Sequence, residues 1–210
     1  MQMILWPALI TLAITLLRLV GEMQGWSKVL FNPAAGGGGA IVGISWLPFL
    51  FGPYFAWKLA RGGRAPQGPW KVAGIALLGI VAAIAVFAGV TSLGLNTPTL
   101  VLAFVLTGAT AFIPWKAWPD LTKVLLAYGL AARVPVVIVM FAAISGSWGT
   151  HYDVLPPDPP ASLMELGLVG RWFFIGFLPQ LTVWIAQTVL IGTLFGAVVV
   201  ALGKPKPAAA

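Results

Sequence analysis

Apolar stretches of about twenty residues with few charges recur along this chain, separated by short loops that hold most of its lysines and arginines. A stretch of that length can cross the hydrocarbon core of a bilayer as a helix, with every backbone polar group bonded inside the segment. The sequence therefore predicts an all-α integral membrane protein, a bundle of six transmembrane helices forming one domain over residues 1–203. The expected spans are 4–20, 40–59, 72–93, 99–116, 121–144 and 172–202. A short basic tail, 204–210, follows. Charged residues make up only 8% of the chain, against about 25% in soluble domains, so a soluble fold of this length would lack the charges to cover itself.

The net charge of +7 invites a nucleic-acid reading, which the placement of the charges excludes. The basic residues sit in loops between apolar blocks, and none forms a stripe interleaved with aromatics. The expected partners are the lipid bilayer itself and a membrane protein or second copy of the chain, with no nucleic acid. There is no cysteine, so disulfides, thiolate catalysis and cysteine metal sites are excluded. No cofactor is expected. Residues 1–20 lack a basic leading region, carry Arg18 near their far end and are followed by no A-x-A cleavage pattern. They read as a retained first helix.

Lysine and arginine also set the expected orientation. Lys58, Arg61, Arg64, Lys71, Lys116, Lys123, Lys204 and Lys206 fall on one side of the six-helix scheme, and Arg18, Lys28 and Arg171 on the other. The larger group belongs in the cytoplasm of a cell membrane, which puts both termini there. Trp26, Trp57, Trp70, Trp115, Trp118, Trp148 and Trp172 fall near the expected interfaces, as an aromatic belt does.

The most polar segment is 145–171, the last outer loop. It holds the run Trp148 to Asp153 and then Pro156, Pro157, Pro159 and Pro160, which favour an extended strut. Ser162 and Glu165 have capping-box spacing and predict a short interfacial helix. Asp120, after Pro119, is the expected N-cap of the fifth helix. The glycine run 36–39 lacks the Lys-Ser/Thr of a phosphate loop and reads as a hinge or a close backbone contact. The small pairs Gly79/Ala83 and Ala85/Gly89 mark close helix packing in the third helix.

Arg133 is the residue that most calls for an explanation, because a guanidinium at mid-helix costs roughly 2.5–3.5 kcal/mol to insert. Pro135 leaves the Ala131 carbonyl without its helical donor nearby. Gln180 and Gln187, seven apart in the sixth helix, lie about 12 and 22 Å below Trp172, with Trp184 between them. These residues either form an internal site for an anion or polar head group, or simply stabilise a structural arginine. Arg18 and Glu22, four apart, read as a local ion pair, with ligand binding as the alternative. His151 and Asp153 are the candidates for acid–base chemistry. No nucleophile motif accompanies them, and a solvated loop histidine is the plainer reading. The other candidate ligands, Glu22, Asp158 and Glu165, are too few and scattered to predict a metal site.

Three functions fit this pattern. An accessory or assembly subunit of a membrane complex ranks first, a small carrier or channel using the Arg133 level is close behind, and an enzyme acting on a lipid head group at the outer face is last. An outer pocket converging on His151 with carboxylates in reach would favour the enzyme.

Overall fold

Proline begins four of the long helices, where its missing N–H costs nothing and its fixed φ suits the first turn. It stands first in α2 (Pro48–Arg61), α3 (Pro69–Thr91) and α5 (Pro119–Gly146), and second in α4 (Thr97–Ala109). A computed structural model describes residues 2–37, 39–155, 157 and 159–205. It is helical, with no strand among the described residues. Besides these four, α1 spans Gln2–Met23, α6 Ala161–Met164, α7 Leu168–Trp172, α8 Leu178–Leu181 and α9 Val183–Gly203.

Five helical stretches are long and apolar enough to cross a membrane: Gln2–Met23, Pro69–Thr91, Thr97–Lys116, Pro119–Gly146 and Leu168–Gly203. The fold is consistent with a helical membrane protein. The stretch expected to be helical from residue 40 differs. Its helix, α2, starts only at Pro48 and has 14 residues, about 21 Å of rise. Pro48 has no N–H to donate back towards residue 44. The Ile41 and Val42 amides instead donate across to the Val29 and Leu30 carbonyls.

The last stretch is not one helix either. A π turn, Phe173–Phe177, joins α7 to α8, and Thr182 (φ −118, ψ −79) breaks the path into α9. Pro179 cannot donate to the Ile175 carbonyl, and the π turn absorbs that missing bond. The N-cap of α5 is Trp118, so Asp120 is not the cap and lies in the first turn, where it favours the helix dipole. Nor does Ser162 cap α6. The N-cap is Pro160, which leaves Ser162 inside the helix, where its hydroxyl accepts from Thr97 Oγ1 at 3.2 Å. Pro156, Asp158 and most of the tail, 206–210, lie outside the described residues, as does Gly38 of the glycine run.

The core lies towards the end of the bundle where α2 meets α3 and α4 meets α5. Phe55, Leu59, Leu121, Leu125, Tyr128 and Val189 are fully buried there. This end also carries Arg64, Lys71 and Lys116, and is called the basic end below. Two glycines bring α2 and α9 together: a Cβ on Gly52 would collide with the Gly192 backbone, and one on Gly196 would stand 2.8 Å from Ala56 Cβ. In α3, Gly79 packs closely, with a hypothetical Cβ 2.6 Å from Leu190. Ala85 and Gly89 do not, contrary to expectation; both are exposed, and nothing lies within 4 Å of a Cβ placed on Gly89.

Candidate functional site

Four polar residues of α1 recur at the spacing of one helix face: Thr11, Thr15, Arg18 and Glu22, all buried. In a helix that is otherwise apolar, this polar stripe must turn inward and find partners. Thr11 Oγ1 lies 2.9 Å from the Tyr128 hydroxyl, and the Thr15 carbonyl accepts from the Tyr152 hydroxyl at 3.2 Å. Arg18 Nε donates to Glu22 Oε1 at 2.7 Å, and one of its Nη atoms donates to the carbonyls of Asn32 and Gly37 at 3.1 and 3.0 Å. Gly37 has φ +81, and a Cβ there would lie 2.8 Å from the guanidinium. The glycine-rich loop thus wraps the arginine closely, as a close backbone contact requires.

The Arg18–Glu22 pair is not a solvated surface pair. The Glu22 side chain is fully buried, and its second oxygen accepts from the His151 backbone N–H at 2.9 Å and contacts His151 Nδ1 at 2.8 Å. The carboxylate that orients His151 is therefore Glu22, 129 residues away, rather than the neighbouring Asp153. Asp153 turns back on its own loop, accepting from the Gly149 and Thr150 amides and the Thr150 hydroxyl at 2.7–2.9 Å. A short polar side chain two residues along closes such a turn more readily than it reaches a ring on the other side.

Burial pushes the His151 imidazole below its ordinary pKa, outweighing the Glu22 hydrogen bond that pulls it back up, with Arg18 adding to the depression. At neutral pH the contact is a hydrogen bond from a neutral ring rather than an ion pair. Burial also raises the Tyr152 phenol well above its usual range, so it remains a donor.

Arg133 of α5 is buried, with 4% exposure. One Nη donates to Gln180 Oε1 at 3.1 Å, and its Cζ stands 4.7 Å from the Trp184 ring centroid. Its Nε is buried without a hydrogen-bond partner, and no carboxylate pairs with it among the described residues. Gln187 does not join this group. The π turn and the break at Thr182 upset the seven-residue register that would align it with Gln180. Its Nε2 donates instead to the Ser45 carbonyl at 2.9 Å.

These side chains converge on one cavity of about 410 Å³. Arg18, Arg133, His151, Tyr152, Gln180 and Trp184 are part of its polar lining, and Ile14, Phe104, Val136, Met140, Phe174 and Ile175 part of its apolar wall. Pro157, Pro160 and Leu163 reach it from the polar segment. That segment thus docks onto the bundle. No group of three or more His, Asp or Glu side chains that could hold a metal occurs among the described residues. Nothing in the local sequence marks the Glu22–His151 contact. The available signal was the polar period of α1, whose threonines pointed to the buried face. No family model, curated protein or solved structure matches the chain.

Proposed function

We propose that this chain is a multi-pass protein of the cell membrane that binds an anionic amphiphile in its cavity, acting as a small carrier or lipid-binding protein. The observation that carries this reading is Arg133, a guanidinium buried among apolar groups with no carboxylate partner among the described residues and an unbonded Nε. Leaving a buried charge uncompensated costs several kcal/mol. An anionic head group would supply the counter-charge, and the guanidinium fork suits carboxylate or phosphate. The apolar walls suit an alkyl chain, and a cavity of about 410 Å³ has the size of a small-molecule site. No cofactor and no nucleic acid enter this reading.

The topology that goes with it has six crossings and both termini in the cytoplasm, supported by the basic loops on one side. Residues 40–47 with α2 form the second crossing. Irregular backbone is tolerated in a membrane where it is covered by protein or lines a cavity, and Gly43, Ile44 and Ser45 line this one.

A fluorescent fatty acid bound to the purified chain in nanodiscs tests the reading. Arg133→Gln should weaken binding at least about tenfold, or about 1.4 kcal/mol, and the uncharged fatty alcohol should bind poorly to the native chain. Equal binding by the two proteins, or of the two probes, would remove the reading. A second reading, an accessory subunit of a membrane complex, is favoured by the outward-facing Ala85 and Gly89. Small residues on an uncovered face let another helix approach closely.

A further inference from the structure

Binding an anion makes no use of His151. Its Nδ1 faces the Glu22 carboxylate at 2.8 Å and must carry the proton, so the neutral ring holds its lone pair on Nε2. No hydrogen bond to Nε2 forms among the described residues, the side chain keeps 17% exposure, and His151 is one of the residues that line the cavity. Glu22 is itself held by Arg18 Nε at 2.7 Å and by the His151 amide at 2.9 Å. A buried carboxylate thus fixes the tautomer and orientation of an imidazole whose other nitrogen is available as a base. The chain has no cysteine, and no hydroxyl hydrogen-bonds to this ring among the described residues, so the nucleophile that fits is water.

We infer that His151 is a general base that directs water onto a carboxylic ester of the amphiphile held in the cavity, with Glu22 as its positioning residue. This rests on the anionic-amphiphile reading. His151 Nε2 takes a proton from water as the water oxygen bonds to the ester carbonyl carbon and the carbonyl π pair moves onto oxygen. The tetrahedral oxyanion then re-forms the C=O bond and breaks the C–O bond to the alcohol. The departing alkoxide takes the proton from Nε2, and one ester and one water have become one acid and one alcohol. Arg133, which has no carboxylate partner among the described residues, sets a positive potential over the same cavity, which favours the negative charge that develops.

The test uses the full chain in nanodiscs of ether-linked phosphatidylcholine, which offers no competing ester. The substrate is 1-oleoyl lysophosphatidic acid and the readout is released oleate. Its ether analogue, which cannot be hydrolysed, reports binding separately. Oleate should appear in proportion to protein, and His151→Gln should lower its release by at least about 100-fold while the ether analogue still binds. The native rate should fall about tenfold per pH unit on the acid side of the His151 titration, which burial places below the ordinary histidine range. The groups that set this titration, besides burial, are Arg18 and Glu22 from α1 and Asp153 from its own segment; Tyr152 and, from α5, Arg133 line the same cavity. Binding of the analogue without oleate release overturns the inference and leaves the binding reading standing. A rate unchanged in His151→Gln also overturns it. Failure of the ether analogue to bind removes both.

Discussion

The two ends of the bundle solve the burial problem in opposite ways. At the basic end large apolar side chains fill the space, and glycines let α2 and α9 touch backbone to backbone. Towards the opposite end the helices part around a cavity, and buried charges and hydroxyls take the place of packed hydrocarbon. Within a membrane, packing and hydrogen bonding hold helices together, since lipid is as apolar as leucine. The packed end can supply that adhesion, leaving the other end free to keep polar groups that contribute little to it. Intramembrane ionisable residues are read by default as functional for this reason.

The largest expected effect comes from breaking the polar end. Glu22→Gln leaves the Arg18 guanidinium without its carboxylate and His151 without its orienting acceptor, and should cost about 3 kcal/mol, read as a lowered midpoint in detergent unfolding. A midpoint within a degree of the native one would mean that the charges are not held as described. Disturbing the packed end should cost slightly less. Gly192→Leu drives a side chain into Leu125 and α2 and should destabilise by about 1–3 kcal/mol, without altering anion binding. If both binding and stability fall together, the two ends are not separable.

A smaller effect should appear with pH. The unfolded His151 takes up a proton at about 6.5, whereas the folded one does so only at lower pH. The unfolded chain therefore binds more protons in that window, so stability falls as pH drops below about 6.5 and is level above it as far as this group is concerned. His151→Gln should flatten that part of the curve; a slope retained in the variant would assign it to another group. Least of all should come from Gly89→Leu, on the exposed face of α3, within about 0.5 kcal/mol. If that substitution leaves the monomer intact and dissolves an oligomer or complex, the accessory-subunit reading gains over the carrier.

The long apolar helices were legible because hydrocarbon thickness dictates their length. Arg133 stood out because its cost is visible without a structure, and Gln180 and Trp184 followed from depth along a helix. The failures share a different cause. The late start of α2 depends on Ile41 and Val42 bonding back to a loop, and the displacement of Gln187 on a break at Thr182. Neither is a property of its local sequence. Likewise the proximity of Asp153 to His151 along the chain suggested a partnership that the turn geometry of Gly149 and Thr150 claims for itself.

The pairing of Glu22 with His151 has a consequence in time. The two residues are 129 apart, and at roughly 5–20 residues per second the ribosome needs on the order of ten seconds to deliver the second after the first. For that interval α1 is an orphan carrying a carboxylate towards a membrane. Arg18, one turn earlier on the same face, travels with it and neutralises it from the start. The pair is thus a portable counter-ion arrangement, complete within a single helix, that lets the helix wait for its histidine.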